Sequence, residues 1–202
     1  MNSRERVIRA LNHQEPDRIP LDLGGSVVTG MHVSSVHQLR QALRLDAPRT
    51  PVKVTEPFQM LGEIAPDLID ALGIDVVSLT STRTCFGFHN AGWKPWTTFD
   101  GTPVLVPDGF NTEPAPDGDI LLYPGGDKSA PPSGRMPRDS WYFHPVERAP
   151  ADVRQQVRQR IRTLRPGGGF VFNTIHNVQP RVPVANILAM FETLRDHGRY
   201  PF

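Results

Sequence analysis

The proline residues of this chain are concentrated in one stretch, and their distribution constrains the fold more than any other feature. The 202 residues include 21 prolines, many of which lie between Pro95 and Pro150 in company with glycine, as in the segments 111–118 and 129–134. Proline lacks a backbone N–H and interrupts helices, and clusters of proline and glycine mark turns and loops. This stretch therefore predicts a turn-rich region rather than a regular repeat.

Within the proline-rich stretch, two Asp-Gly pairs lie beside short β-like runs. Asp100-Gly101 separates Thr97–Phe99 from Val104–Val106, and Asp117-Gly118 precedes Ile120–Tyr123. Because Asp-Gly readily adopts the positive φ angles of tight turns, both pairs predict β-hairpins. Three tryptophans, Trp93 just before this stretch and Trp96 and Trp141 within it, could form a stacking platform but are interpreted as anchors for its loops.

Outside this stretch, predicted strands and helices alternate. The predicted strands are Ile19–Leu23, Val52–Thr55, Asp75–Leu79 and Phe170–Asn173. The predicted helices begin at a capping box of Asn2 and Glu5, at Ser34 or Ser35, near Phe58, at Pro66, after Pro150 and at Pro183. The last two carry apolar stripes, which are Val153, Val157, Ile161 and Leu164, then Val184, Ile187, Leu188, Phe191 and Leu194. Such alternation indicates βα units around a parallel sheet.

Charge and composition exclude several classes of protein. The 22 Lys and Arg residues nearly balance the 21 Asp and Glu residues, so the total charge favours neither nucleic acid nor an acidic membrane as a partner. No apolar run approaches the roughly 20 residues that span a bilayer, and no signal peptide is expected after the charged N-terminus. The single cysteine, Cys85, cannot form an internal disulfide. These features predict a cytoplasmic protein.

Two groups of motifs, one near each end of the chain, resemble one known family. The first group is Asn-Ser-Arg-Glu-Arg-Val at 2–7, Ala-Leu-Asn-His at 10–13 and Glu-Pro-Asp-Arg-Ile-Pro at 15–20. The second is Pro-Gly-Gly-Gly-Phe-Val-Phe-Asn at 166–173, His-Asn-Val-Gln-Pro at 176–180, Asn-Ile-Leu-Ala-Met at 186–190 and Gly-Arg-Tyr-Pro at 198–201. Together they resemble the uroporphyrinogen decarboxylase superfamily, which also contains corrinoid-linked methyltransferases.

This resemblance implies a (β/α)8 barrel, a fold that typically takes about 250 residues. On the family pattern, Ile19–Leu23, Val52–Thr55 and Phe170–Asn173 correspond to the first, second and eighth strands, and the central part of the barrel is missing. We therefore expect a partial TIM-type barrel with its strands in the order 8-1-2 and a β-hairpin appendage at about 87–145. The expected parts are residues 1–148, including the appendage, and residues 149–202, the last βα unit.

The resemblance also suggests catalytic residues. His176 lies just beyond a predicted strand, where barrel enzymes place catalytic groups, and the family carries a histidine at this point of its closing motif. Asp22 interrupts an apolar run, and Glu56 follows a predicted strand where the decarboxylases have an acidic residue that contacts pyrrole nitrogens. The alternatives are a loop-bracing histidine, a structural hydrogen bond for Asp22, and a helix-capping role for Glu56.

Three further residues are candidates for substrate binding. His32 lies in the loop after the first predicted strand and could reach the same pocket, although a surface histidine is the simpler interpretation. Asn173 and Asn177 flank His176 in the closing motif. With Asp22 and Glu56, these side chains would line a pocket at the carboxyl ends of the strands.

The chain departs from both branches of the family. Decarboxylating members follow their first strand with an arginine-rich loop that grips substrate carboxylates, whereas residues 23–32 contain no arginine. Methyltransferase members hold zinc through a His-x-Cys pair and a later Cys, and Cys85 has no such neighbours. No metal ligand is therefore assigned. A corrinoid and zinc would be expected only for a methyltransferase, and no cofactor for a decarboxylase.

Two functions remain open on the sequence alone. One is an enzyme of this superfamily, a carboxy-lyase acting on a tetrapyrrole or a methyltransferase working with a corrinoid protein, impaired by the missing central part. The other is an inactive remnant or gene-model fragment that acts at most as a binding or assembly module. Because an open arc of strands leaves unpaired edges, self-association or aggregation is expected in both cases.

Overall fold

The chain divides into two compact units, Met1–Pro145 and Val146–Phe202. The computed structural model describes residues 1–138, 140–146, 149–172 and 182–199. Its α-helices are α1 Ser3–Leu11, α2 Val33–Ala42, α3 Pro66–Leu72, α4 Pro150–Leu164 and α5 Val184–His197. Its strands are β1 Val52–Glu56, β2 Leu61–Gly62, β3 Lys94–Thr97, β4 Pro103–Val106, β5 Thr112–Pro114, β6 Ile120–Leu122, β7 Gly134–Met136 and β8 His144–Pro145.

Local sequence signals set the ends of the first three helices. The predicted capping box is present at α1, where Asn2 accepts a hydrogen bond from the Glu5 N–H and the Glu5 carboxylate accepts one from the Asn2 N–H. Pro66 starts α3, and Gly73 ends it in the left-handed conformation, with φ at 65°. Helix α2 begins earlier than predicted, because its cap is the His32 side chain rather than a serine hydroxyl.

The first sheet of the Met1–Pro145 unit has the strand order β2-β1-β4-β3. Strands β3 and β4 form the antiparallel hairpin predicted at Asp100-Gly101, with Gly101 at a φ of 83° in the turn. Strand β4 then runs parallel to β1, with Val52 opposite Val104. The predicted appendage is therefore built into the central sheet instead of standing apart from it.

The barrel prediction is wrong. Strand β1 is bordered by β2 on one side and β4 on the other, so neither of its edges is open to Ile19–Leu23. Among the described residues there are two small four-stranded sheets and five α-helices, with no ring of parallel strands. The reason is that both edges of β1 are already paired: β2, which follows it closely in sequence, takes one edge, and the β3–β4 hairpin takes the other.

Three predicted segments also take other conformations. Ile19–Leu23 forms no strand, and its Asp22 makes only a single parallel bridge with Val76. Residues 170–172 form no strand either, while Asn173 lies outside the described residues. The helix expected from Phe58 is replaced by a turn that leads into β2, which pairs antiparallel with β1 across a bulge.

A second sheet, with the order β5-β6-β7-β8, completes this unit. Its first hairpin is the one predicted at Asp117-Gly118, where Gly118 has a φ of 89°. Aromatic side chains form part of the core, since Phe143 packs against Phe86 and Phe110 at ring-centre distances of 6.0 and 5.7 Å. The buried aliphatic residues of the core include Val33, Val36, Val52, Val54, Leu68, Val104, Val106 and Leu122.

Helix α2 lies directly on β2 because the strand offers a glycine at the contact. A Cβ atom on Gly62 would come within 3.1 Å of the Val33 Cα and 3.0 Å of a Val36 methyl carbon. The N–H of Gly62 donates to the Met31 carbonyl, and the N–H of Val33 donates to the Met60 carbonyl. This close contact holds the N-terminus of α2 against the end of the sheet.

An ion-pair network holds the N-terminal segment in place. The fully buried Asp75 carboxylate accepts from the guanidinium groups of Arg6 and Arg18 and from the N–H of Leu21. Burial alone would raise the pKa of Asp75, but these hydrogen bonds together hold it well below its usual range. Asp17 pairs with Arg6, which likewise lowers the pKa of Asp17. The predicted strand Ile19–Leu23 is thus fixed mainly by side chains.

The described part of the second unit is a helical hairpin of α4 and α5. Val157 and Ile161 of the predicted α4 stripe are buried, while Leu164 is half-exposed. Helix α5 buries Asn186, Ala189 and Thr193. The stripe predicted there largely faces outward, because Val184, Leu188 and Phe191 are all more than half exposed.

Candidate functional site

A cleft of about 350 Å³ opens at the N-terminus of α2 in the Met1–Pro145 unit. Small-molecule sites have volumes of about 300–1,000 Å³, so the cleft falls at the lower end of that range. Its lining residues are His32, Ser34, Ser35, Gln38, Gln59, Leu61, Asp100, Trp141 and Tyr142. We refer to it as the α2 cleft.

Four parts of the fold meet at the α2 cleft. Helix α2 contributes its first two turns, the β1–β2 connection contributes Gln59, and the β3–β4 turn contributes Asp100. Trp141 and Tyr142 come from the segment just before β8. That segment is anchored by the buried Phe143, whose N–H donates to the Phe58 carbonyl at 2.9 Å. The core therefore positions the aromatic side of the cleft.

His32 links the two sides of the α2 cleft. Its Nδ1 accepts a hydrogen bond from the Ser34 N–H at 3.2 Å, so its Nε2 carries the proton and donates to the Trp141 carbonyl at 3.0 Å. The imidazole also meets the Trp141 ring edge-on, with ring centres 5.3 Å apart. Burial lowers the pKa of His32, outweighing the opposing effects of the Trp141 carbonyl and Asp100. His32 is therefore neutral at pH 7, with both nitrogens engaged.

Asp100 gives the α2 cleft its negative charge. Its Oδ1 accepts hydrogen bonds from the Thr98 hydroxyl, from the Thr102 N–H at 3.1 Å and from the Ser34 hydroxyl at 3.5 Å. Burial opposes ionisation, but these donors prevail and lower the pKa of Asp100. Among the described lining residues there is no lysine or arginine. An ionised carboxylate without a neighbouring cation makes the cleft unfavourable for anions.

Two exposed aromatic residues form the apolar wall of the α2 cleft. Trp141 is 44 % exposed and Tyr142 is 47 % exposed. The Trp141 ring is supported from outside the cleft by Phe99, with ring centres 4.1 Å apart. Tyr142 lies beside the ring of His144, 5.0 Å away. Since large side chains this exposed are costly to hydrate, a supported aromatic pair at a cleft indicates a binding surface.

The opposite wall of the α2 cleft is polar and neutral. Ser35 and Gln38 are exposed and lie three residues apart, on one face of α2. Gln59 is exposed on the β1–β2 connection. The side chains of these three residues make no hydrogen bond to any described part of the protein, so they are available to a ligand.

Asp22 and Glu56 do not line the α2 cleft, and each closes a local turn. The Asp22 carboxylate accepts from the Gly25 N–H at 2.9 Å and from the Thr29 hydroxyl at 3.1 Å. The Glu56 carboxylate accepts from the N–H groups of Phe58 and Gln59. Both groups thus have the hydrogen bonds of structural carboxylates.

Cys85 is another hydrogen-bonding partner of Glu56. Its thiol donates to Glu56 Oε1 across 3.7 Å. Although the side chain still reaches solvent, the surrounding protein removes water from the sulfur, and with the nearby carboxylate this raises the pKa of Cys85 to about 12. The thiol is therefore protonated near neutral pH, and a protonated thiol is a poor nucleophile.

Of the residues predicted from the sequence, His32 lines the α2 cleft and Asp22 and Glu56 lie elsewhere. Asn173, His176 and Asn177 lie outside the described residues. Sequence reasoning did not single out Asp100, Gln59 or Tyr142 as site residues, and it interpreted Trp141 as a loop anchor. A partial signal was present in the adjacent aromatic residues 141 and 142 of the turn-rich region.

Within the described ranges, no group of three or more His, Cys, Asp and Glu residues is arranged to hold a metal ion, and no helix combines the length and the apolar character needed to cross a membrane. Comparison of the chain with known proteins finds no matching family model, no similar curated protein and no similar solved structure.

Proposed function

We propose that this chain is a relative of the uroporphyrinogen decarboxylase superfamily that acts as a small-molecule-binding module and has no catalytic activity. The motifs at 2–20 and 166–201 support the relationship. The α2 cleft supports the binding role, because it combines a supported aromatic wall with polar side chains that are free to contact a ligand. We place the protein in the cytoplasm, in keeping with its single cysteine.

One observation carries the proposal: the acid–base groups of the described candidates make structural hydrogen bonds. His32 uses both ring nitrogens, and Asp22 and Glu56 each accept two bonds from their own turns, outside the α2 cleft. A general base must be within reach of a substrate proton, so His32 would first have to break a structural bond and the two carboxylates lie away from a ligand in the cleft. Binding requires no such rearrangement.

A carboxylated tetrapyrrole is not favoured as the ligand of the α2 cleft. Recognition of several carboxylates calls for arginine or lysine, and the described lining holds neither while Asp100 is ionised. The superfamily's decarboxylation and corrinoid-linked methyl transfer are accordingly proposed as ancestral chemistry.

The proposal is tested by assaying the purified 202-residue chain for turnover of uroporphyrinogen, and of methylcobalamin with a thiol acceptor. We expect neither reaction above the protein-free background. A His32→Gln variant assayed in parallel is expected to match the wild type. Turnover of either substrate by the wild type, removed by His32→Gln or by a variant at His176, would contradict the non-catalytic role.

A further inference from the structure

We propose that the α2 cleft binds a neutral, polyhydroxylated ligand, a sugar or polyol with one or two rings. This inference rests on the proposed binding function and gives it a ligand class. It depends on the charge of the lining, the type of its hydrogen-bonding groups, and its exposed aromatic wall.

The charges on the lining of the α2 cleft limit the class of ligand that can bind. The ionised Asp100 repels anions, and the described lining offers no lysine or arginine to offset it. The first turn of α2, marked by Ser34 and Ser35, presents the positive end of the helix dipole to the same space, which offsets part of the Asp100 charge and weakens the attraction for a cation. A negative charge on one wall and a positive partial charge on the other suit a neutral ligand with dipolar groups.

The hydrogen-bonding groups of the lining indicate that the polar groups of the ligand are hydroxyls. The Ser35 hydroxyl and the amides of Gln38 and Gln59 can each donate and accept, and none is bonded to the described remainder of the protein. A ligand hydroxyl also donates and accepts, so it matches each of these groups. The Asp100 carboxylate adds a strong acceptor for a further hydroxyl.

The aromatic wall accounts for the rest of the ligand surface. Trp141 and Tyr142 expose 44 % and 47 % of their area, and Phe99, which does not line the cleft, packs against the Trp141 ring. The face of an aromatic ring is electronegative and attracts polarised C–H groups, which saturated sugar rings present on their apolar faces. A cleft of about 350 Å³ holds one or two such rings.

The experiment uses the full chain and isothermal titration calorimetry, with ligand-observed NMR as a second readout. The probes are a panel of neutral mono- and disaccharides and polyols. Choline is added to test for binding of a cation, and uroporphyrin to test for binding of an anion. Titration to about 10 mM detects dissociation constants in the millimolar range. The variants are Trp141→Ala and Gln38→Ala, the latter on an exposed helix position where folding is not at risk. Trp93→Ala is the matched control, because the Trp93 ring lies beneath the Lys53 ammonium group and does not line the cleft.

We expect at least one neutral saccharide or polyol to bind saturably. Trp141→Ala should weaken that binding about ten-fold or more, as an aromatic anchor does, and Gln38→Ala about three-fold to ten-fold. Trp93→Ala should leave it unchanged. Binding of choline or uroporphyrin alone, saccharide binding indifferent to both cleft variants, or no binding by any probe would each overturn the ligand class. Enzymatic turnover would instead overturn the proposed function, so the two failures are distinguishable.

Discussion

The imidazole of His32 donates from Nε2 to the carbonyl oxygen of Trp141, 3.0 Å away across 109 residues of sequence. The same ring caps α2 by accepting from the Ser34 N–H at Nδ1. One side chain therefore fixes both the start of a helix and the position of the aromatic wall. Protonation of Nδ1 would break the cap, because a protonated imidazole has no acceptor.

We predict that acid weakens the fold through His32. The pKa of folded His32 lies below its unfolded value of about 6.5, so the unfolded chain takes up a proton first. The stability that depends on neutral His32 is present above pH 6.5 and decreases as the pH falls from there towards the folded pKa. Thermal unfolding midpoints measured from pH 7.5 to 5 should show this slope, and His32→Gln should flatten it. If the unfolding midpoint depends equally on pH in the wild type and in His32→Gln, His32 is not the source of that dependence.

Removal of the Arg40 side chain should reduce the stability of the fold substantially. Its buried guanidinium donates two hydrogen bonds each to Asp46 and Asp67, which joins α2 to the first turn of α3. Breaking a largely buried pair costs about 3–5 kcal/mol, and Asp67 is half-exposed, so Arg40→Met should lose about 3 kcal/mol. Urea unfolding measures this loss. The exposed Arg4→Met should change stability by less than about 0.5 kcal/mol.

Phe143 should be essential to the stability of the Met1–Pro145 unit. Its side chain is fully buried against Phe86 and Phe110, and its backbone fixes the residues that precede β8. Phe143→Ala should reduce the free energy of unfolding by about 3–5 kcal/mol, since it removes apolar contacts and leaves a cavity. Phe99→Ala, at a half-exposed site, is the control and should cost under about 1 kcal/mol. Similar losses in the two variants would contradict the assigned core.

Cys85 should react slowly with thiol reagents in spite of its exposure. A pKa of about 12 leaves almost no thiolate at pH 8, whereas a free cysteine with a pKa of about 8.5 is substantially ionised there. Because Cys85 is the single cysteine, disulfide-exchange kinetics report on it alone. We expect a rate more than ten-fold below that of a model thiol, and a faster rate in Glu56→Gln, which removes the neighbouring charge. A rate equal to that of the model thiol would contradict the raised pKa of Cys85.

Self-association is expected from the exposed apolar residues near the Asp22–Val76 bridge. Ile19, Val77 and Leu79 are 86 %, 63 % and 97 % exposed on the two segments that this bridge joins. Apolar side chains beside extended backbone promote association with another chain. Sedimentation should reveal oligomers at micromolar concentration, reduced in a Val77→Ser, Leu79→Ser double variant. A compact wild-type monomer at that concentration would contradict this expectation.

The sequence alone determined the features that depend on neighbouring residues. The Asn2–Glu5 capping box, the Pro66 start of α3, and the hairpin turns at Gly101 and Gly118 are all as predicted. Each is fixed by the backbone preferences of a few consecutive residues, which act before distant contacts form. The helices α4 and α5 were also predicted, since proline and periodic apolar residues mark them locally.

The tertiary structure decided which strands pair and which residues share a cleft. Val52–Thr55 was correctly predicted as extended, but its partners proved to be β2 and β4 rather than barrel strands. Backbone hydrogen bonds carry no residue identity, so the sequence of a strand does not specify its neighbour. In the same way, Asp100 and Trp141 meet beside α2 only because the hairpin, the helix and the Phe143 anchor pack on one core. That packing also places His32, which the sequence offered as a binding candidate or as a surface histidine, where it joins the two sides of the α2 cleft.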